Sequence, residues 1–342
     1  MKKVSLVVDQ SLTQNKVFNK NLFRDNITSK YILLKKELEK KGYNLSTQDI
    51  NDINSSEIVI YSSYIPNVLP AVTSSHKSFL ILWESEFIKP ENYKRNLHKN
   101  FKKIFTWHDD FVDGTKYIKI NFSHAFPVNL CFDLSKKKKL CVLIAGRKKS
   151  RAFIGNKLKN LDLYKEREKA IRWFEKNKAY DFDLYGVGWD RLNFHPRITN
   201  FINKIALLRK LSDRFLKPRF PSYRGTITTK KPIMELYKFS ICYENARDIP
   251  GYITEKIFDS FFAGCVPIYW GSNNVKKYIP EDCFIDKTMF PDYPSLYKYI
   301  SEMPEKEYLM YLENISAFLK GENSIQFRDS FFAKKIAAEI LK

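Results

Sequence analysis

The run PGYITEKIFDSFFAG, Pro250 to Gly264, reads as a loop entering a helix, with Thr254 at the N-cap and Gly264 as the stop. That register puts Lys256 in the first helical turn, where the macrodipole disfavours a cation by about 0.3–1 kcal/mol. A surface lysine tolerates that cost. The alternative is an anion that binds the helix N-terminus and the lysine together. Upstream, YKFSICYEN (237–245) reads as a buried strand ending in Glu244 and Asn245. Asn245, Tyr252, Thr254, Glu255 and Lys256 would then line one crevice at the carboxyl end of a strand, where open parallel sheets bind ligands. A phosphate there would meet backbone N–H groups, the dipole and an ammonium at once. Glu255 would repel phosphate and is better suited to accepting sugar hydroxyls.

The elements that must position these groups are legible along the chain. KVSLVVD (3–9), SEIVIYSSY (56–64), SFLILWE (78–84), KIFTWHDD (103–110) and YIKINF (117–122) are β-branched or aromatic runs of strand length. SKYILLKKELEKKGY (29–43) has helical apolar spacing with Gly42 as its stop. After the charged run DLSKKKKL (133–140), LCVLIAG (140–146) restarts the strand signal. Helix YKEREKAIRWFEKN (164–177), strand DFDLYG (181–186), the 237–245 strand, helix 254–263 and strand CVPIYW (265–270) follow. Strands alternating with helices predict parallel sheets covered on both faces, in two α/β domains spanning 1–135 and 136–325. The tail, 326–342, reads as an amphipathic helix, with packing on the body favoured over membrane contact.

Composition bounds the function. The 342 residues are 44% hydrophobic and 15% aromatic, enough for packed cores, so general disorder is excluded. No apolar run approaches the roughly 20 residues of a membrane span, and the apolar start breaks at Asp9, as in a first strand rather than a signal peptide. Cys131, Cys141, Cys242, Cys265 and Cys283 are widely spaced, which suits reduced thiols in a cytosolic protein. His76, His98, His108, His124 and His195 do not cluster at ligand spacing. DFD (181–183) and HDD (108–110) imitate a DxD metal motif, but DFDLYG fits alternating strand positions better. The net charge of +21 suits nucleic acid, an anionic membrane surface or a nucleotide substrate. Because most aromatics fall within apolar strand and helix segments, a single-strand nucleic-acid binder is the weaker reading.

The whole run YKFSICYENARDIPGYITEKIFDSFFAGCVPIYWG (237–271) resembles the donor-site signature of family 10 glycosyltransferases, the α1,3/4-fucosyltransferases. LILWESEFIKPENY (80–93), KIFTWHDDFVDGTKYIKINF (103–122), LYKEREKAIRWFEK (163–176) and YRGTITTKKPIMELYKF (223–239) extend the resemblance over about 55–290. It implies a soluble, bacterial-type member with the GT-B fold, two Rossmann-like domains facing across a cleft, the first holding the acceptor. The implied reaction is inverting α1,3-transfer of L-fucose from GDP-β-L-fucose to an N-acetylglucosamine-containing oligosaccharide or glycolipid, as in lipopolysaccharide or other surface-glycan synthesis. A related transferase with another sugar nucleotide is the alternative. By position, Glu84 is the implied general base, and Arg167 and Lys256 neutralise the diphosphate. Asn245 and Tyr252, Ile253, Thr254 and Glu255 are implied to contact nucleotide and sugar, with Ile227, Thr228, Thr229 and Lys230 helping to hold the donor. Ala145 and Gly146 replace the family's Ser-Asn pair, which leaves a backbone contact.

Read without the resemblance, Glu84 is a solvated strand-end carboxylate and Arg167, in EREK, one of a set of exposed i,i+4 ion pairs. Glu86 is an alternative base, on the same face as Glu84 if the strand continues that far. A carboxylate and two or three fixed cations supply what direct displacement needs, so no metal or cofactor is expected to be essential. The expected setting is the cytoplasm, with a secondary, peripheral contact to the anionic inner face of the membrane and no nucleic-acid partner.

Overall fold

The computed structural model describes residues 1–63, 77–130, 132–148, 160–190, 205 and 220–342. Cys131, His76 and His195 lie outside the described residues. The chain forms two compact units, one of residues 1–128, 249–255 and 321–342, the other of 129–248 and 256–320.

The first unit is built on a six-stranded, all-parallel sheet ordered β2-β1-β3-β4-β5-β6. Its strands are β1 (Lys2–Val7), β2 (Tyr43–Thr47), β3 (Ile58–Ser62), β4 (Ser78–Leu82), β5 (Lys103–Thr106) and β6 (Tyr117–Lys119). Alternate residues serve opposite faces: Ile60, Phe79 and Ile81 join one core, while Val59, Tyr61, Leu80 and Leu82 join the other. Burial on both faces is why these strands read as continuous apolar runs. Helix α1 (Ser29–Glu39) covers one face, and Gly42, at φ +84°, turns the chain back so that Lys2 N donates to Gly42 O at 3.0 Å.

The second unit carries a five-stranded parallel sheet, β11-β10-β9-β7-β8. Its strands are β7 (Lys139–Ile144), β8 (Phe182–Tyr185), β9 (Tyr237–Tyr243), β10 (Val266–Trp270) and β11 (Ile285–Asp286). Helices α2 (Tyr164–Asn177), α3 (Glu255–Phe262), α4 (Tyr293–Ser301) and α5 (Glu305–Lys320) follow in chain order. Gly264 ends α3 at φ +58°, its N–H donating to Phe261 O at 3.1 Å. In chain order the first sheet reads 2-1-3-4-5-6 and the second 2-1-3-4-5, so each has a topological switch point between its first and third strands.

The last helix, α6 (Asp329–Ile340), packs on the first unit: Phe332, Ala333, Ile336, Ala337 and Ile340 join the core beneath α1. Its apolar stripe is thus covered by the body of the protein. Among the described residues no helix is long and apolar enough to cross a membrane.

One strand is not visible in the sequence, and one expectation changes. Tyr43–Thr47 is a strand that polar Asn44, Ser46 and Thr47 disguise. And β4 stops at Leu82, so Glu84 and Glu86 sit in the turn beyond it, both exposed, and the period-two argument for a shared strand face does not apply.

Candidate active site

In the second unit, the carboxyl ends of β7 and β9 frame a small recess at the switch point, open to solvent. Ala145, Arg167, Lys230 and Lys256 all line it, together with Cys242, Tyr243 and Asp259. Four residues separated by up to 111 positions in sequence are thereby brought to one place. Each cation is fixed by the chain. Lys230 Nζ lies 2.6 Å from Asp259, and Lys256 Nζ lies 3.0 Å from Glu244 Oε2. The macrodipole cost at Lys256 is therefore offset in part by a carboxylate inside the molecule, in addition to any ligand.

Arg167 departs from the surface reading. The stripe Tyr164, Arg167, Ala170, Ile171 and Phe174 is the buried face of α2, and Arg167 is only 4% exposed. Its Nε and Nη2 donate to Tyr243 O at 3.1 and 2.6 Å, and Nη2 also to Asn245 Oδ1 at 2.9 Å. The exposed ion pair of EREK is Glu166 with Lys169 instead. Arg167 thus clamps α2 to the end of β9 and orients Asn245. Gly146 continues the same loop, whose close partner is Gly186: a Cβ on Gly186 would lie 2.1 Å from Ala145 O. Ile227 is half-buried while Thr228 and Thr229 are exposed, outside the lining of the recess that Lys230 reaches.

Residues 249–255 belong to the first unit. Tyr252, Ile253 and Thr254 are buried, and the Tyr252 ring lies 4.7 Å from Trp107 and 6.0 Å from Phe122. Gly251, at φ +79°, passes so close to Trp107 that a Cβ would sit 2.3 Å from its carbonyl oxygen and 2.9 Å from Lys119 Nζ. Asp109 N donates to Pro250 O at 3.2 Å. We expect Gly251→Ala to destabilise this unit by about 1–3 kcal/mol, through the left-handed backbone and the clash together, measured by chemical denaturation. Glu255, half-buried, acts electrostatically on Lys30, whose ammonium lies 4.2 Å from the Trp83 ring and is held below its usual pKa by burial.

Also in the first unit, the backbone around Glu84 is pinned. Trp107 Nε1 donates to Trp83 O at 2.8 Å, and Tyr93 Oη to Glu84 O at 3.2 Å. Asn92 is itself anchored, its carbonyl 2.9 Å from His98 Nε2. Burial pushes the Tyr93 phenol well above its ordinary pKa, with Tyr252, Glu86 and Glu84 adding to the rise.

The DxD-like segments have other partners. Asp181 accepts from Tyr297 Oη at 2.6 Å, Asp183 is buried between Lys139, Arg224 and Tyr237, and Asp109 pairs with Lys119 at 2.5 Å. Cys141, Cys242, Cys265 and Cys283 are buried free thiols, and burial pushes Cys242 up to about 12. Sequence reasoning gave no role to Glu244 or Asp259. The second lies three residues beyond Lys256, one helical turn away, which was the available signal.

Two α/β units, each built on a parallel sheet of this topology, make the fold one of the GT-B type. Solved structures share it: an α1,3-fucosyltransferase crystallised with GDP-fucose matches at TM-score 0.50 and 15% identity, covering 93% of this chain and 89% of that one. A glycosyltransferase from Rickettsia africae matches at TM-score 0.55 and 14% identity, over 100% and 99% of the two chains. More particularly, residues 217–328 match the model for glycosyltransferase family 10 (fucosyltransferase), C-terminal domain. The α-(1,3)-fucosyltransferase FucT of Helicobacter pylori is 34% identical over 115 residues, 33% of this chain and 23% of that protein. An α-(1,4)-fucosyltransferase of Arabidopsis thaliana is 36% identical over 70 residues, 20% and 17% of the respective lengths. The chain thus spans less than a quarter of the length of these curated relatives.

Proposed function

We propose that the protein is an inverting fucosyltransferase that moves L-fucose from GDP-β-L-fucose to a hydroxyl of an N-acetylglucosamine-containing glycan, most simply in α1,3 linkage. The observation that carries this reading is the convergence of Arg167, Lys230 and Lys256 on one recess at the switch point, the latter two within the stretch that matches the fucosyltransferase family. Glu84 takes the proton of the acceptor hydroxyl as its oxygen attacks the anomeric carbon. The bond from that carbon to the diphosphate breaks, the configuration inverts, and GDP departs with its charge met by the cations. Asn245, Ile227–Lys230 and Tyr252–Glu255 serve the nucleotide and sugar, the buried members of the last set through their backbone. The charge of +21 supports a secondary contact with an anionic bilayer carrying a lipid-linked acceptor.

The test is a panel of sugar nucleotides with an N-acetyllactosamine acceptor, with and without excess chelator. Transfer from GDP-fucose that survives chelation is the expected result. Transfer from a different sugar nucleotide reassigns the donor, and loss restored by manganese overturns the reading that the three cations suffice.

A further inference from the structure

Glu244 ends β9 one residue before Asn245, and the reaction above gives it nothing to do. Its side chain is wholly buried, where an ionised carboxylate is rarely found without a cation. It receives one from Lys256, 3.0 Å away and 17% exposed, so the pair runs from the interior to the edge of the recess. The backbone is tied and the side-chain stem closely packed from behind. Glu244 N donates to Trp270 O at 2.8 Å, and a Cβ on Gly271 would lie 2.5 Å from Glu244 Cγ. The glycine that closes VPIYWG is therefore what leaves room for this side chain. A carboxylate has the wrong sign for a diphosphate, so its value must lie in what it does to the lysine. Lysine is a point charge on a flexible four-carbon stem, and a buried, immobile anion restricts where that charge resides.

We propose that Glu244 is a positioning residue for Lys256, holding the ammonium aimed into the recess before the diphosphate arrives. The proposal rests on reading the recess as a nucleotide-diphosphate site. It is tested by titrating GDP into the wild type, Glu244→Gln, Lys256→Ala and the double variant by calorimetry, with a melting curve for each. If Glu244 acts through Lys256, Glu244→Gln weakens GDP binding by about tenfold while the fold is retained. Lys256→Ala weakens binding and also lowers the melting temperature, because the buried Glu244 carboxylate loses the ammonium 3.0 Å from it. The double variant regains the lost melting temperature but binds GDP no worse than Lys256→Ala alone. Wild-type affinity in Glu244→Gln, or binding losses that multiply in the double variant, overturns the proposal while the nucleotide site stands. A wild type that does not bind GDP overturns the nucleotide reading and the proposal with it.

Discussion

Replacing Glu84 by glutamine is expected to lower kcat for fucosyl transfer by about 10²- to 10⁴-fold, the usual contribution of a general base, with GDP affinity unchanged. The substitution keeps the side chain's size but removes its negative charge and its capacity to take a proton. Glu84 is exposed, so the folding cost should stay within about 0.5 kcal/mol. The turn's geometry rests on backbone carbonyls, held by Tyr93 and Trp107, which the substitution does not touch. In the proposed reaction GDP is held by Arg167, Lys230 and Lys256, so its binding should not respond. Single-turnover kinetics beside a GDP titration separate the two quantities. Glu86, two residues on and equally exposed, is the control: a dead Glu86→Gln with an active Glu84→Gln would move the base there.

The fold and part of this site were legible for different reasons. Strands buried on both faces announce themselves as apolar runs, which is why β3, β4, β7 and β9 fall within two residues of where the sequence placed them. The register of short strands is less visible. WESE continues an apolar run in composition, yet β4 ends at Leu82, and a turn through Glu84–Lys89 begins, with Ile88 N and Lys89 N both donating to Ser85 O. Nothing in residue type alone marks that change. The burial of Arg167 could have been read, since Tyr164, Arg167, Ala170, Ile171 and Phe174 fall at helical spacing on one stripe. The charge pattern of EREK pointed outward and outweighed it. The link between Lys256 and Glu244 lies twelve residues apart across a strand-loop-helix turn, and only the parallel topology brings the two ends together.

The same geometry makes Arg167 the position where charge conservation should fail. Arg167→Lys keeps the positive charge that a diphosphate would meet, so a purely electrostatic role predicts a mild effect. The structure gives the guanidinium a second task, two donors on the Tyr243 carbonyl and one on Asn245 Oδ1, in a place that is 4% exposed. An ammonium lacks the planar fork and cannot reproduce this arrangement from one nitrogen. The Tyr243 carbonyl and the Asn245 amide would be left under-satisfied next to a buried charge, at a cost of about 2–3 kcal/mol in folding stability. Asn245, no longer oriented, would lose its place beside the recess, so GDP affinity should fall as well. Chemical denaturation and GDP titration of Arg167→Lys and Arg167→Ala measure both effects. Comparable losses in the two variants would identify the fork as the essential feature; a lysine variant that binds GDP like the wild type would leave Arg167 a charge and nothing more.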